Sequence, residues 1–149
     1  MNHHLLLIIH LLAATIWVGG HLYIAIRVLP KALKSKDCTE LLVMEKIYEP
    51  LGMSALALLI ITGIWMTLQF GISLDQWFSF SNPIEKVTST KLLLLFSTFL
   101  LAISAQTRVI PKLKSNPKKL TEMAVHIIAV TIIGIAMLVL GSFVRYGGI

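Results

Sequence analysis

Four long apolar stretches, each carrying few polar positions, alternate along the chain with short segments that hold most of its charge. A helix crossing a bilayer needs roughly 20 mainly apolar residues, and each stretch is long enough. The first runs from about Leu5 to Leu29 and stops at Pro30. The second covers Leu51 to Phe70, just after Pro50, with LLVMEKIYE as an interfacial helical lead-in. The third opens behind Asn82, a capping residue, and Pro83, which suits a first helical turn; it covers about 84–110 and ends before Pro111. The fourth covers about 121–144. The pattern predicts an all-α chain: an integral membrane antiparallel four-helix bundle forming a single transmembrane domain over 1–149. No soluble domain, internal repeat or low-complexity tract stands out.

Charge gives this bundle an orientation. The segment after the first span carries Arg27, Lys31, Lys34, Lys36 and Lys46, and the segment after the third carries Arg108, Lys112, Lys114, Lys118 and Lys119. The connection between the second and third spans offers only Lys86 and Lys91 beside Asp75 and Glu85. Basic connections stay in the cytoplasm, so both termini are expected outside (N-out, C-out), in a multi-pass protein of the inner membrane. Composition agrees: 56% of residues are hydrophobic and 13% charged, about half the charged share of a soluble domain. The net charge of +6 therefore flanks spans rather than forming a nucleic-acid surface. One cysteine, Cys38, excludes an intramolecular disulfide and a CxxC motif. The start, MNHHLLLI, lacks the basic n-region of a signal peptide.

Histidines inside the spans are the candidate chemistry. His10 and His21 are eleven residues apart, which returns them to within about 20° of one helix face, about 16 Å apart along the axis. Ala13, Ala14, Trp17 and Gly20 share that stripe and leave room for a neighbouring helix or a flat cofactor. On the fourth span His126 and Met137 repeat the spacing, with Gly141 on the same stripe. His21 and His126 fall roughly 12 and 7 Å from the cytoplasmic ends of their helices, matched depths at which they are expected to face each other. A paired imidazole at such depth suits a b-type haem held from both faces, or copper; each histidine taken alone otherwise reads as a core residue donating to a backbone carbonyl. His10 falls near the depth of Met137 and Lys91, an outer site where Lys91 either snorkels to the interface or anchors a carboxylate. His3 and His4 sit at the outer interface, as a copper-capturing or simply solvated pair. Met44, Met53 and Met66 are soft-ligand candidates or packing, and Trp17 and Trp65 line a cofactor or pack. Glu45 and Glu49 relay protons or pair with Lys46 and Arg27. No Ser–His–Asp set, phosphate loop or HExxH motif is present.

The stretch HLLAATIWVGGHLYIAIRVLP resembles the first helix of the membrane domain of the copper-resistance D (CopD) family, and STKLLLLFSTFLLAISAQTR resembles its third. His10, Trp17, Gly20, Arg27, the MEKIYEPLGM segment and Lys91 also resemble the HemJ-type protoporphyrinogen oxidases, although SAQTR stands where that group carries a histidine. The first resemblance implies copper handling, the second haem-dependent porphyrinogen oxidation. The residues themselves place a b-type haem redox protein first, with haem b on His21 and His126, a second site at His10, and a quinone or periplasmic redox protein as partner. The alternative is a copper permease or delivery protein, with His10, His21 and the methionines as stations. A third possibility is an accessory subunit of a larger membrane complex.

Overall fold

The computed structural model describes residues 2–113, 115–116 and 118–149. Met1, Pro117 and Lys114, the last counted above among the basic residues, lie outside the described residues. Four helices are long and apolar enough to cross a membrane: α1 (His3–Ser35), α2 (Thr39–Gln69), α3 (Pro83–Lys112) and α4 (Lys118–Val144). The described residues contain no strand. Asn2 caps α1 by accepting from His4 N, and Asn82 caps α3 by accepting from Glu85 N. Asp37 accepts from the backbone N–H and hydroxyl of Thr39 at the start of α2. Those two bonds hold its carboxyl below the ordinary aspartate value.

α2 begins at Thr39 rather than Leu51, so Pro50 stands inside a helix instead of ahead of one. Proline removes one N–H and crowds the preceding turn, but neighbouring helices make this tolerable within a membrane. Prolines also shape α1 and α3. Each widens into one π-helical turn, Ile24–Val28 and Ala105–Val109, just before Pro30 and Pro111. The wide turn relieves the clash between the ring and the carbonyl behind it.

These two turns expose a likeness that the hydropathy pattern hides. The offset that superposes them also superposes Arg27-Val28-Leu29-Pro30-Lys31 on Arg108-Val109-Ile110-Pro111-Lys112. Val28 and Val109 are both fully buried. Each half of the chain thus runs helix, π-turn, proline and helix, a short likeness that was not expected.

α1 packs along α2, α3 along α4, and α1 against α4, whereas α2 and α3 share no comparable seam. Both termini lie at one end. The His3 ring stacks edge-on against Phe70 and donates to Gln69 Oε1 at 2.8 Å, while Ile149 N donates to Pro83 O. Near the opposite, basic end, a core forms around Ile24, Val28, Leu41, Val109, Met123 and Ile127. There Gln106 bridges α3 to α2 by donating to Glu49 at 2.9 Å and Glu45 at 3.3 Å. The two glutamates thus meet an amide rather than Lys46 or Arg27.

Candidate functional site: a cavity between the repeats

The half of the bundle nearest the termini is not filled. A cavity of about 950 Å³ lies between all four helices. At the offset that aligns the two proline segments, Leu7, His10, Leu11 and Ala14 of α1 fall on Thr88, Lys91, Leu92 and Leu95 of α3, and all eight line the cavity. Each glycine accommodates the polar side chain of its own unit. A Cβ on Gly63 would stand 3.4 Å from His10 Cε1, and one on Gly141 would stand 3.5 Å from Lys91 Nζ. His10 and Lys91 thus hold equivalent places, one presenting an imidazole and the other an ammonium.

The protonation of His10 follows from its partners. Thr62 Oγ1 lies 2.6 Å from Leu58 O and 2.7 Å from His10 Nδ1. A hydroxyl has one proton, and a carbonyl can only accept, so Thr62 donates to Leu58 and accepts from His10 Nδ1–H. His10 Nε2 is left as an unprotonated lone pair, with no hydrogen-bond partner among the described residues. Holding the far ring N–H on an acceptor is how proteins orient an imidazole that serves as a metal ligand. Thr62 is itself buried, at 4% exposure. Met66 and Met137, both thioether residues, line the same cavity.

The connection between α2 and α3 roofs the cavity. Buried Glu85 accepts from Gln76 Nε2, Ser79 Oγ and Ser81 N, and Ser89 Oγ accepts from Phe78 N. These bonds hold Phe78 (φ 70°) and Phe80 (φ 55°) in the left-handed region, which for a bulky residue costs about 1–3 kcal/mol. Trp77, beside Phe78, lines the cavity, and its Nε1–H is enclosed without a hydrogen-bond partner among the described residues. No carboxylate lines the cavity among the described residues; its charged lining groups are Lys91 and Arg145.

His21 and His126 do not share this space, and each belongs to a different helix pair. His21 Nδ1 donates to Trp17 O at 2.8 Å, and Tyr48 of α2 donates to the same carbonyl at 2.6 Å. Tyr48 occupies the hollow of Gly20, where any Cβ would overlap its ring. The small stripe beside His21 is thus filled by a neighbouring helix rather than by a cofactor. His126 donates from Nδ1 to Glu122 O and accepts at Nε2 from Ser104 Oγ at 3.0 Å, within the α3–α4 pair. With both its nitrogens occupied and its ring directed at α3, the residues present do not offer a bis-imidazole site for haem b between His21 and His126. Among the described residues no group of three or more His, Cys, Asp or Glu gathers around one point.

The remaining candidates are dispersed. Trp17 is buried against Gly134 and the His21 ring, whereas Trp65 faces outward at 42% exposure. Met53 is exposed, and Met44 packs against the core at the basic end. His4 is exposed at the start of α1. Two members of the site escaped the sequence reading. Thr62 carries no signal beyond one hydroxyl in an apolar run, and Trp77 lies in a connection whose fold depends on Glu85.

The model of the family described as Copper resistance protein D matches residues 42–144. The match covers α2, α3 and α4 through Val144 and includes the third-helix stretch; the first-helix motif precedes it. No curated protein and no solved structure matches the chain significantly.

Proposed function

The chain belongs to the copper resistance protein D family, and from that premise we propose that its cavity receives copper as Cu(I), with His10 as the principal ligand. As a member of that family with four candidate spans, it is a multi-pass membrane protein related to copper resistance. One observation carries the finer proposal: the Thr62 relay leaves His10 Nε2 as a lone pair facing a space that Met66 and Met137 also line. Neutral imidazole and thioether donors suit soft Cu(I), while carboxylates, which suit harder divalent ions, are missing from the lining. His21 carries the same tautomer further along α1, since its Nδ1–H is also held by an acceptor, and makes a second station towards the basic end. The basic connections argue for an inner-membrane protein with both termini outward, so that the cavity opens on the periplasmic half. Copper is cargo here, passed along α1 by exchange between neutral donors.

The test is competition for Cu(I) between the detergent-purified protein and a chromogenic chelator. His10→Ala should weaken binding at least about tenfold, the low end of what a directly coordinating group contributes when even its supporting shell is worth 10–100-fold. His126→Ala should leave it unchanged. Equal affinity in wild type and His10→Ala removes copper from this cavity.

A further inference from the structure

The cavity is far larger than a copper ion needs, and its polar groups are unevenly matched. Lys91 lines the space and has no hydrogen-bonding or ionic partner among the described residues. Glu85, the carboxylate nearest on α3, is committed to Ser79, Ser81 and Gln76 and does not line the cavity. An ammonium about 12 Å along a spanning helix without a counter-charge is costly. Most of the remaining wall is apolar, with leucine its commonest residue. The cavity, walled by all four helices, includes residues of α2 and α3, the pair without a close seam, where an acyl chain has the least packing to displace.

We propose that this cavity binds an anionic amphiphile, an acyl chain with an acidic head, its head on Lys91 and its chain among the aliphatic residues. The head decides selectivity. An acyl chain leaving lipid for a leucine-lined cavity gains little, because lipid tails are as apolar as leucine. A charge-assisted bond to a desolvated ammonium is worth roughly twice a neutral one. The inference is independent of the copper proposal, whose ligands are His10 and the thioethers.

Tryptophan quenching by brominated amphiphiles tests it. In a Trp65→Phe background, which removes the outward-facing indole, emission comes from Trp17 and Trp77, and both line the cavity. A dibrominated stearic acid is compared with its methyl ester, and a dibrominated phosphatidylglycerol with the matching phosphatidylcholine, at a pH that ionises the acid. At least one anionic probe should quench at about tenfold lower mole fraction than its neutral counterpart. Which of the two does so tells a free acyl carboxylate from a lipid headgroup. Lys91→Met should abolish the preference and Lys91→Arg should retain it. Equal quenching by charged and neutral probes in wild type overturns the proposal. So does a preference that survives Lys91→Met; if that variant misfolds, Lys91→Gln replaces it under the same criterion. Cu(I) affinity of the same preparations is read separately, so loss of copper binding leaves this result standing.

Discussion

Replacing Thr62 by valine removes one oxygen and almost no volume, and it isolates the role assigned to the His10 ring. The wild-type chain of bonds runs from His10 Nδ1 to Thr62 Oγ1 at 2.7 Å and on to Leu58 O at 2.6 Å. Valine leaves the His10 N–H without its acceptor. An unpaired buried donor costs about 1–3 kcal/mol, and the ring escapes that cost by turning or by moving its proton to Nε2. Either change withdraws the lone pair from the cavity. With about 1.4 kcal/mol per decade, the expected loss of Cu(I) affinity is about tenfold, within the 10–100-fold seen when an outer-shell partner of a ligating histidine is removed. Thr62→Ser restores the hydroxyl and should recover most of the loss, although serine is less constrained at χ1. The assay is chelator competition, with thermal unfolding in the same detergent as control. If Thr62→Val binds Cu(I) as tightly as wild type, or Thr62→Ser as poorly as Thr62→Val, the tautomer argument is refuted.

Three other outcomes follow from the geometry. Gly20→Ala drives a methyl group into the Tyr48 ring and should destabilise the protein by about 1–3 kcal/mol, as overpacking does; Tyr48→Ala in the same chain should return part of it, read as the midpoint of unfolding in denaturing detergent. Lys91→Met removes the like charge opposing a cation in the cavity, an effect on the order of 2 kcal/mol at an effective dielectric of about 20, so Cu(I) should bind at least about tenfold more tightly in the competition assay. In a Cys38→Ser background, Lys36→Cys should react with a membrane-impermeant thiol reagent only in inverted vesicles and Ser73→Cys only in intact cells, and the reverse pattern would invert the orientation.

Hydropathy made the four spans legible because lipid imposes a length and an apolar composition on each one. The start of α2 was less legible: Pro50 reads as a break in water, whereas within a bundle the helix continues through it. Depth was readable from rise per residue, but azimuth was not. His21 and His126 were placed at matched heights, yet which face of each helix meets which neighbour depends on pairings such as Tyr48 in the hollow of Gly20. That contact sends His21 to the α1–α2 pair, and Ser104 draws His126 to the α3–α4 pair. The outer trio of His10, Lys91 and Met137 does line one cavity, and the likeness of the two halves puts both polar side chains at equivalent positions. The signal for that likeness was present in Arg-Val-Leu-Pro-Lys and Arg-Val-Ile-Pro-Lys, but five residues are easily lost among leucines. Trp77 could not have been found, because its place is set by hydrogen bonds between a loop and a buried glutamate.

X-ray absorption at the copper edge of Cu(I)-loaded, detergent-purified protein reads the ligand set itself. One Cu(I) per chain is expected, with imidazole nitrogen and thioether sulfur in its shell and the imidazole contribution lost in His10→Ala. Protein that retains no copper, or a spectrum unchanged by His10→Ala, would contradict the copper proposal.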